Sequence, residues 1–248
     1  MRIGVLLCDD VRQALRDHHG NYPEMFTRLF SEVDSSITLN FYRVTEGQYP
    51  QALDECDGYI TSGSRFGVND EIKWIRVFES FVHQLYAQHL PFVGICFGHQ
   101  MIARALGGEV CRAESGWGLG LARAELNLPE TRLHSWLTHS APQYALLVSH
   151  QDQIVQLPPD TRVLAGSQSC PYAMILVGTH FLGIQGHPEF TPTYLQDLIT
   201  LRHSSYPPAT ARAALESLAG KTDHLAVTQW LIHFIKHRHL EASNPPSD

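Results

Sequence analysis

The segment Pro91-Phe92-Val93-Gly94-Ile95-Cys96-Phe97-Gly98-His99-Gln100 constrains the fold more than any other stretch of the chain. A short apolar run ends at a cysteine. Helical spacing begins at once, with Phe97, Ile102, Ala105 and Leu106 on one stripe. Strand, cysteine, helix is the layout of a nucleophile elbow, a sharp corner that lifts one side chain to the carboxyl edge of a sheet. The unpaired N–H groups that open the helix point at the same spot and favour negative charge there. Gly94 and Gly98 let the backbone turn sharply and approach its neighbours closely. Taken alone, the segment is equally compatible with a buried apolar cysteine, the commoner fate of that residue.

A second segment, Phe181-Leu182-Gly183-Ile184-Gln185-Gly186-His187-Pro188-Glu189, is another apolar strand ending in a titratable pair. Extended residues two apart point to the same side, and Pro188 biases His187 towards extended backbone. His187 and Glu189 can therefore sit side by side, the carboxylate orienting the imidazole. With Cys96 they make the nucleophile, base and orienter of a triad.

These motifs together resemble the class I (triad) glutamine amidotransferases. Thr61-Ser62-Gly63-Ser64-Arg65-Phe66 falls where that family carries its oxyanion loop, Gly107-Gly108-Glu109-Val110 closes the elbow helix, and Val148-Ser149-His150-Gln151-Asp152 resembles the substrate-side loop. The likeness runs in order from about Arg2 to about Tyr194. Within the class the chain is most similar to stand-alone proteins related to the glutaminase part of GMP synthase, with the plant gamma-glutamyl peptidases also similar. Ser62-Gly63-Ser64 in place of Gly-Gly-Pro, and Trp74-Ile75 in the next helix, carry that narrower likeness.

The resemblance implies a flavodoxin-like α/β fold in which Cys96, His187 and Glu189 are catalytic. Its oxyanion donors would come from Gly63, Ser64 and Phe97. Gln100, Ser149, His150 and Gln151 would contact substrate, the last three largely through backbone. No metal or cofactor is implied. Gly116-Trp117-Gly118 is either a close approach to substrate or a turn that glycine permits. His99 points elsewhere on the elbow helix, Cys8 reads as core, and Arg65 and Asp70 as surface loop charge.

A chain of 248 residues, 44% apolar and 17% charged, can bury one substantial α/β core. A net charge of −7 without a basic run argues against nucleic acid as a partner. Fifteen histidines are scattered. His233 and His237 have ligand spacing on a helix, but no acidic or cysteine residue accompanies them, and a solvated face is the simpler reading. Five cysteines, an odd count, fit neither a disulfide framework nor a zinc site, which points to a reducing cytoplasm. No apolar run approaches a membrane span.

Strand and helix patterns alternate through the first half: strands at 2–8, 37–44, 57–62 and 91–95, and helices at 23–32, 71–89 and 97–106. Alternation of this kind implies a parallel sheet covered on both faces, with ligands at the strands' carboxyl ends. Short strands at 109–112, 120–126, 144–149, 163–167, 173–177 and 180–185 follow closely, so hairpins should make the sheet mixed though mostly parallel. Helices at 193–202, 209–218 and 223–239 complete the chain, broken at Pro207-Pro208 and Gly220. The expected organisation is one amidotransferase domain over 1–194, a C-terminal helical extension of it over 195–240, and a disordered tail over 241–248.

Three functions remain open on these residues. The first is a glutaminase that hands ammonia to a separate synthetase or other acceptor protein; no Walker-type phosphate loop is present to serve as its own. The second is a free-standing hydrolase of gamma-glutamyl peptides. The third is a catalytically silent regulatory module, against which the intact triad argues. A protease or chaperone of related fold would carry His directly after the elbow cysteine, where Phe97 stands.

Overall fold

The computed structural model describes residues 1–138 and 141–243. The first half builds the expected alternation: β1 (Arg2–Leu7), α1 (Gln13–His19), α2 (Tyr22–Val33), β2 (Thr38–Arg43), β3 (Gly58–Thr61), α3 (Lys73–Ala87), β4 (Phe92–Ile95) and α4 (Phe97–Ala105). The second half is strand-rich: β5 (Glu109–Arg112), β6 (Gly118–Leu126), a single turn α5 (Leu128–Thr131), β7 (Gln143–His150), β8 (Asp152–Gln156), β9 (Thr161–Gly166), β10 (Met174–Val177) and β11 (Phe181–Ile184). Three helices end it: α6 (Pro192–Leu201), α7 (Pro208–Ser217) and α8 (His224–Ser243).

Nine strands form one sheet in the order β2-β1-β3-β4-β11-β10-β9-β6-β7. The five from β2 to β11 are parallel, and the remaining four continue antiparallel. β5 and β8 pair separately as a two-stranded antiparallel sheet. β3, β4 and β11 are buried along their whole length, as strands covered on both faces must be. Along β1 the period of two divides the core: Ile3, Val5 and Leu7 face the layer of α2, α6 and α8, while Leu6 faces that of α3 and α4. In α3, Ile75, Phe78, Val82 and Leu85 form the expected stripe.

The mixed, mostly parallel sheet flanked by helices is thus as expected. Local features differ from the sequence reading, the single turn α5 among them. α1 was not anticipated: its seven residues bury only Leu15, too little to write a helical period. β8 was not anticipated because it follows the His150 turn directly and pairs with β5 rather than with the main sheet. α8 runs through Ser243, three residues into the range expected as a tail; residues 244–248 lie outside the described residues. No helix among the described residues is long and apolar enough to cross a membrane.

Candidate active site

Parallel register assembles the site. Ile95 pairs with Ile184 across β4 and β11, and Ile60 with Val93 across β3 and β4. One step beyond the strands, Cys96 therefore lies between the Ser62-Gly63 segment on one side and Gln185-Gly186 on the other. The Cys96 N–H donates to the Ile184 carbonyl at 2.8 Å, which fixes the corner.

Cys96 has φ 48° and ψ −94°, a positive φ outside the αR and β regions that L-residues prefer. Such strain persists only where the surroundings enforce it, and it clusters at functional sites. Here a Cβ at Gly94 would run into the Gly98 carbonyl, and one at Gly98 into the Thr61 side chain. The Thr61 hydroxyl accepts the Ile95 N–H at 2.9 Å and ties β3 to the end of β4. Phe97 opens α4, and a donor at the first helical position has no intrahelical acceptor.

His187 and Glu189 follow β11. The His187 N–H donates to the Leu147 carbonyl at 2.8 Å, so β7 fixes its backbone. His187 Nδ1 lies 2.7 Å from Glu189 Oε1, and the Cys96 sulfur is close enough to act on the imidazole electrostatically. Both residues are 3% exposed, which makes the pair almost dry. Phe190 stacks on the imidazole with centroids 3.9 Å apart and planes 5° apart. Burial pushes the imidazole down, but the Glu189 carboxylate and then the Cys96 sulfur outweigh it, and the net direction is well up. The fold therefore brings Cys96, His187 and Glu189 together at the ends of β4 and β11.

The loop Ser62-Gly63-Ser64 is braced from β1. The Cys8 N–H donates to Ser62 Oγ at 2.9 Å, and Ser64 Oγ donates to the Cys8 carbonyl at 2.9 Å. Cys8 itself is core, its thiol pushed up first by burial and then by Asp9. Gly63 presses on the imidazole, since a Cβ there would stand 2.5 Å from His187 Cε1. Arg65 is spent on Asp9, with Nε 2.9 and 2.8 Å from its two oxygens, and Asp70 accepts the Gly67 N–H at 3.0 Å within a local turn.

The four residues expected at the substrate divide. Ser149 shares a small cavity with His187, and its hydroxyl is buried with no hydrogen-bond partner among the described residues. His150, next along β7, points the opposite way. Its Nδ1 lies 3.1 Å from the Asp152 carbonyl, and burial pushes it down to about 4. The Gln100 amide donates to the Asp152 carbonyl at 2.7 Å and to Gln185 Oε1 at 3.3 Å, bracing that loop from α4. The Gln151 carbonyl accepts the Ala113 N–H at 2.8 Å. His99 is buried against Gly183 and pushed down to about 3, first by burial and then by His150.

A cavity of about 690 Å³ lies along β6 and β7 beside the site. It shares His150, Gln185 and Gly186 with these segments, but neither Cys96 nor His187 lines it. Gly116 has φ 80° and turns the chain so that Trp117 packs edge-on to Tyr206, at 4.8 Å. Sequence reasoning missed Phe190, although it follows Glu189 directly. It also missed Arg12, Tyr194 and Arg202, which are remote in sequence and carry no motif. Among the described residues no group of three or more His, Cys, Asp or Glu side chains could hold a metal ion.

A cysteine elbow beside a His-Pro-Glu segment on a mostly parallel sheet defines a class of protein, and comparison agrees. Residues 14–201 match the family model described as glutamine amidotransferase class-I, and the chain belongs to that family. Among individual relatives, it is 31% identical to gamma-glutamyl peptidase 3 of Arabidopsis thaliana over 77% of both chains. It is 28% identical to the glutamine-hydrolyzing GMP synthase of Streptococcus pyogenes over 82% of this chain and 35% of that one. The fold matches a glutamine amido transferase from Methylobacillus flagellatus at TM-score 0.75 and 18% identity, covering 97% of this chain and 94% of that chain. It matches a glutamine amidotransferase from Thermotoga maritima at TM-score 0.72 and 19% identity, covering 96% and 98%.

Proposed function

We infer that the protein hydrolyses gamma-glutamyl amide bonds through a thioester on Cys96. The observation that carries this is the meeting of Cys96, at the head of α4, with the hydrogen-bonded His187–Glu189 pair. Cys96 Sγ attacks the gamma-carbonyl carbon as a thiolate beside the His187 imidazolium, which holds the proton. The C–N bond breaks, His187 gives that proton to the leaving nitrogen, and ammonia or an amine departs. Water then attacks the thioester, its proton passing through His187 to the sulfur as glutamate leaves. Glu189 holds the imidazole tautomer and stabilises its charge.

The tetrahedral oxygen is held by the N–H of Phe97 and by donors of the Gly63-Ser64 segment. Losing one such donor costs about 3 kcal/mol of transition-state stabilisation. Ser149 and the backbone of His150 and Gln151 receive the glutamyl head group, with Gln100 bracing them. All five cysteines are free, which fits a reducing cytoplasm and the thiol chemistry.

The test is glutamate release by the purified protein from glutamine and from gamma-glutamyl peptides. Cys96→Ala abolishes turnover at unchanged circular dichroism, because only one sulfur at a corner is lost. Undiminished hydrolysis by the variant would falsify the mechanism. A second reading, transfer of ammonia to a separate synthetase, is favoured by the likeness to GMP synthase. It is recognised by turnover of glutamine that rises when the acceptor protein is added.

A further inference from the structure

A cavity of about 50 Å³ opens directly on His187. Its wall includes Ser64 of the loop proposed to supply oxyanion donors and Ser149 proposed to meet the glutamyl group, so it adjoins the scissile amide next to the imidazole that protonates the leaving nitrogen. At ~10–15 Å³ for each water it admits, the cavity has room for one carboxylate-sized head group and not for a glutamyl chain.

The charges around it are unequal. Asp9 is bound by Arg65, and Asp10 by Arg43 at 3.0 Å and Arg16 at 3.4 Å. Two further guanidiniums line the cavity, those of Arg12 and Arg202, and neither has a carboxylate within ion-pair distance among the described residues. Arg202 rests on the Trp117 and Tyr206 rings, 5.5 and 5.2 Å from their centroids, which holds the group in place without neutralising it. The two arginines meet because α1 packs on α6: Arg12 opens α1 and Arg202 closes α6, while His19 Nε2 reaches Asp197 at 2.8 Å. Tyr22 and Tyr194 complete the wall, and their hydroxyls have no hydrogen-bond partner among the described residues. Half-buried guanidiniums without a counter-charge, beside free phenols, are a site for an anion.

Resting on the hydrolase reading above, we propose that Arg12 and Arg202, with Tyr22 and Tyr194, bind the carboxylate of the departing amine. The preferred substrates are then gamma-glutamyl amino acids and peptides. Glutamine, whose leaving group is ammonia, gives this subsite nothing to hold.

The experiment compares kcat/KM for gamma-glutamyl-glycine, gamma-glutamyl-glycinamide and glutamine, using the full chain, its Arg12→Gln and Arg202→Gln variants, and Cys96→Ala. The acid should exceed the amide by about 10- to 100-fold, the range of one or two charged hydrogen bonds. Each arginine variant should lower that acid-to-amide ratio by about 10-fold. Equal kcat/KM for acid and amide in the unaltered protein overturns the subsite and leaves Cys96-dependent hydrolysis standing. An equal loss on acid and amide in the variants overturns it too, because the arginines then serve the glutamyl carboxylate or the fold. Failure of every substrate to give Cys96-dependent glutamate removes the hydrolase reading, and the subsite with it.

Discussion

Gly63 presses directly on the proposed general base. A methyl group there would stand 2.5 Å from His187 Cε1. The ring cannot yield, because Phe190 stacks on one face and Glu189 holds Nδ1. Nor can the loop easily retreat, since Ser62 and Ser64 on either side are hydrogen-bonded to the Cys8 backbone. Gly63→Ala must therefore displace either the imidazole or the proposed oxyanion donors. A displacement of about 1 Å is enough to cost ~100-fold in rate. We expect kcat on the best gamma-glutamyl substrate to fall by about that factor, with stability lowered by only ~1–3 kcal/mol. Steady-state kinetics beside urea denaturation measure both, and a variant within twofold of the parent in kcat would show that the contact is slack.

At the scale of elements, the residues that touch the proposed chemistry sit where strands end. The sequence made those ends readable because apolar runs stop abruptly at Cys96 and His187. Gly94 and Gly98 belong to the same signal, since both mark backbone contacts too close for a side chain. The elements that escaped notice lack such signals. α1 buries one residue, and β8 is a short run whose partner β5 lies forty residues earlier in the chain. The proposed carboxylate subsite depends on α1, so the least legible helix bears on the finest point of function. α8 shows a different limit. Apolar residues surround it rather than forming one stripe, because it is packed on several sides, against α2 and near β3, β4 and β7. Val227, Leu231, Phe234 and Ile235 are fully buried, and a Cβ at Gly58 would stand 2.6 Å from Ile235. This helix is core of the same sheet, not a cover over the site. Leu231→Ala should cost about 2–5 kcal/mol of global stability. In urea unfolding the loss should appear as a lower midpoint for the whole transition. Lost activity at unchanged stability would instead make α8 part of the site.

Over the whole molecule, buried histidines set a pH optimum for stability. His187 is pushed up, so the folded protein keeps a proton there that the unfolded chain releases above about pH 6.5. Its contribution is complete below that pH and is lost as the pH rises towards the folded value. His99, His150 and His180 are pushed the other way, to about 3, 4 and 4, each chiefly by burial. Below about pH 6.5 the unfolded chain takes up a proton at each of them that the folded protein refuses, so stability falls on acidification. The slope is at most about 1.4 kcal/mol per pH unit for each histidine. In this range the His187 contribution is already constant, so the acid limb reports those three together with His134, which burial also pushes down. The cysteines and tyrosines that burial raises act only above about pH 8.5, which leaves the range just above neutrality to His187. Urea midpoints taken at about pH 5, 6.5 and 8 should therefore peak at the middle value. His187→Gln should flatten the alkaline limb and keep the acid one. If the midpoint instead rose steadily from about pH 6.5 to 8, the imidazole would not be protonated in the folded state, and the strong coupling of His187 to Glu189 and Cys96 would have to be abandoned.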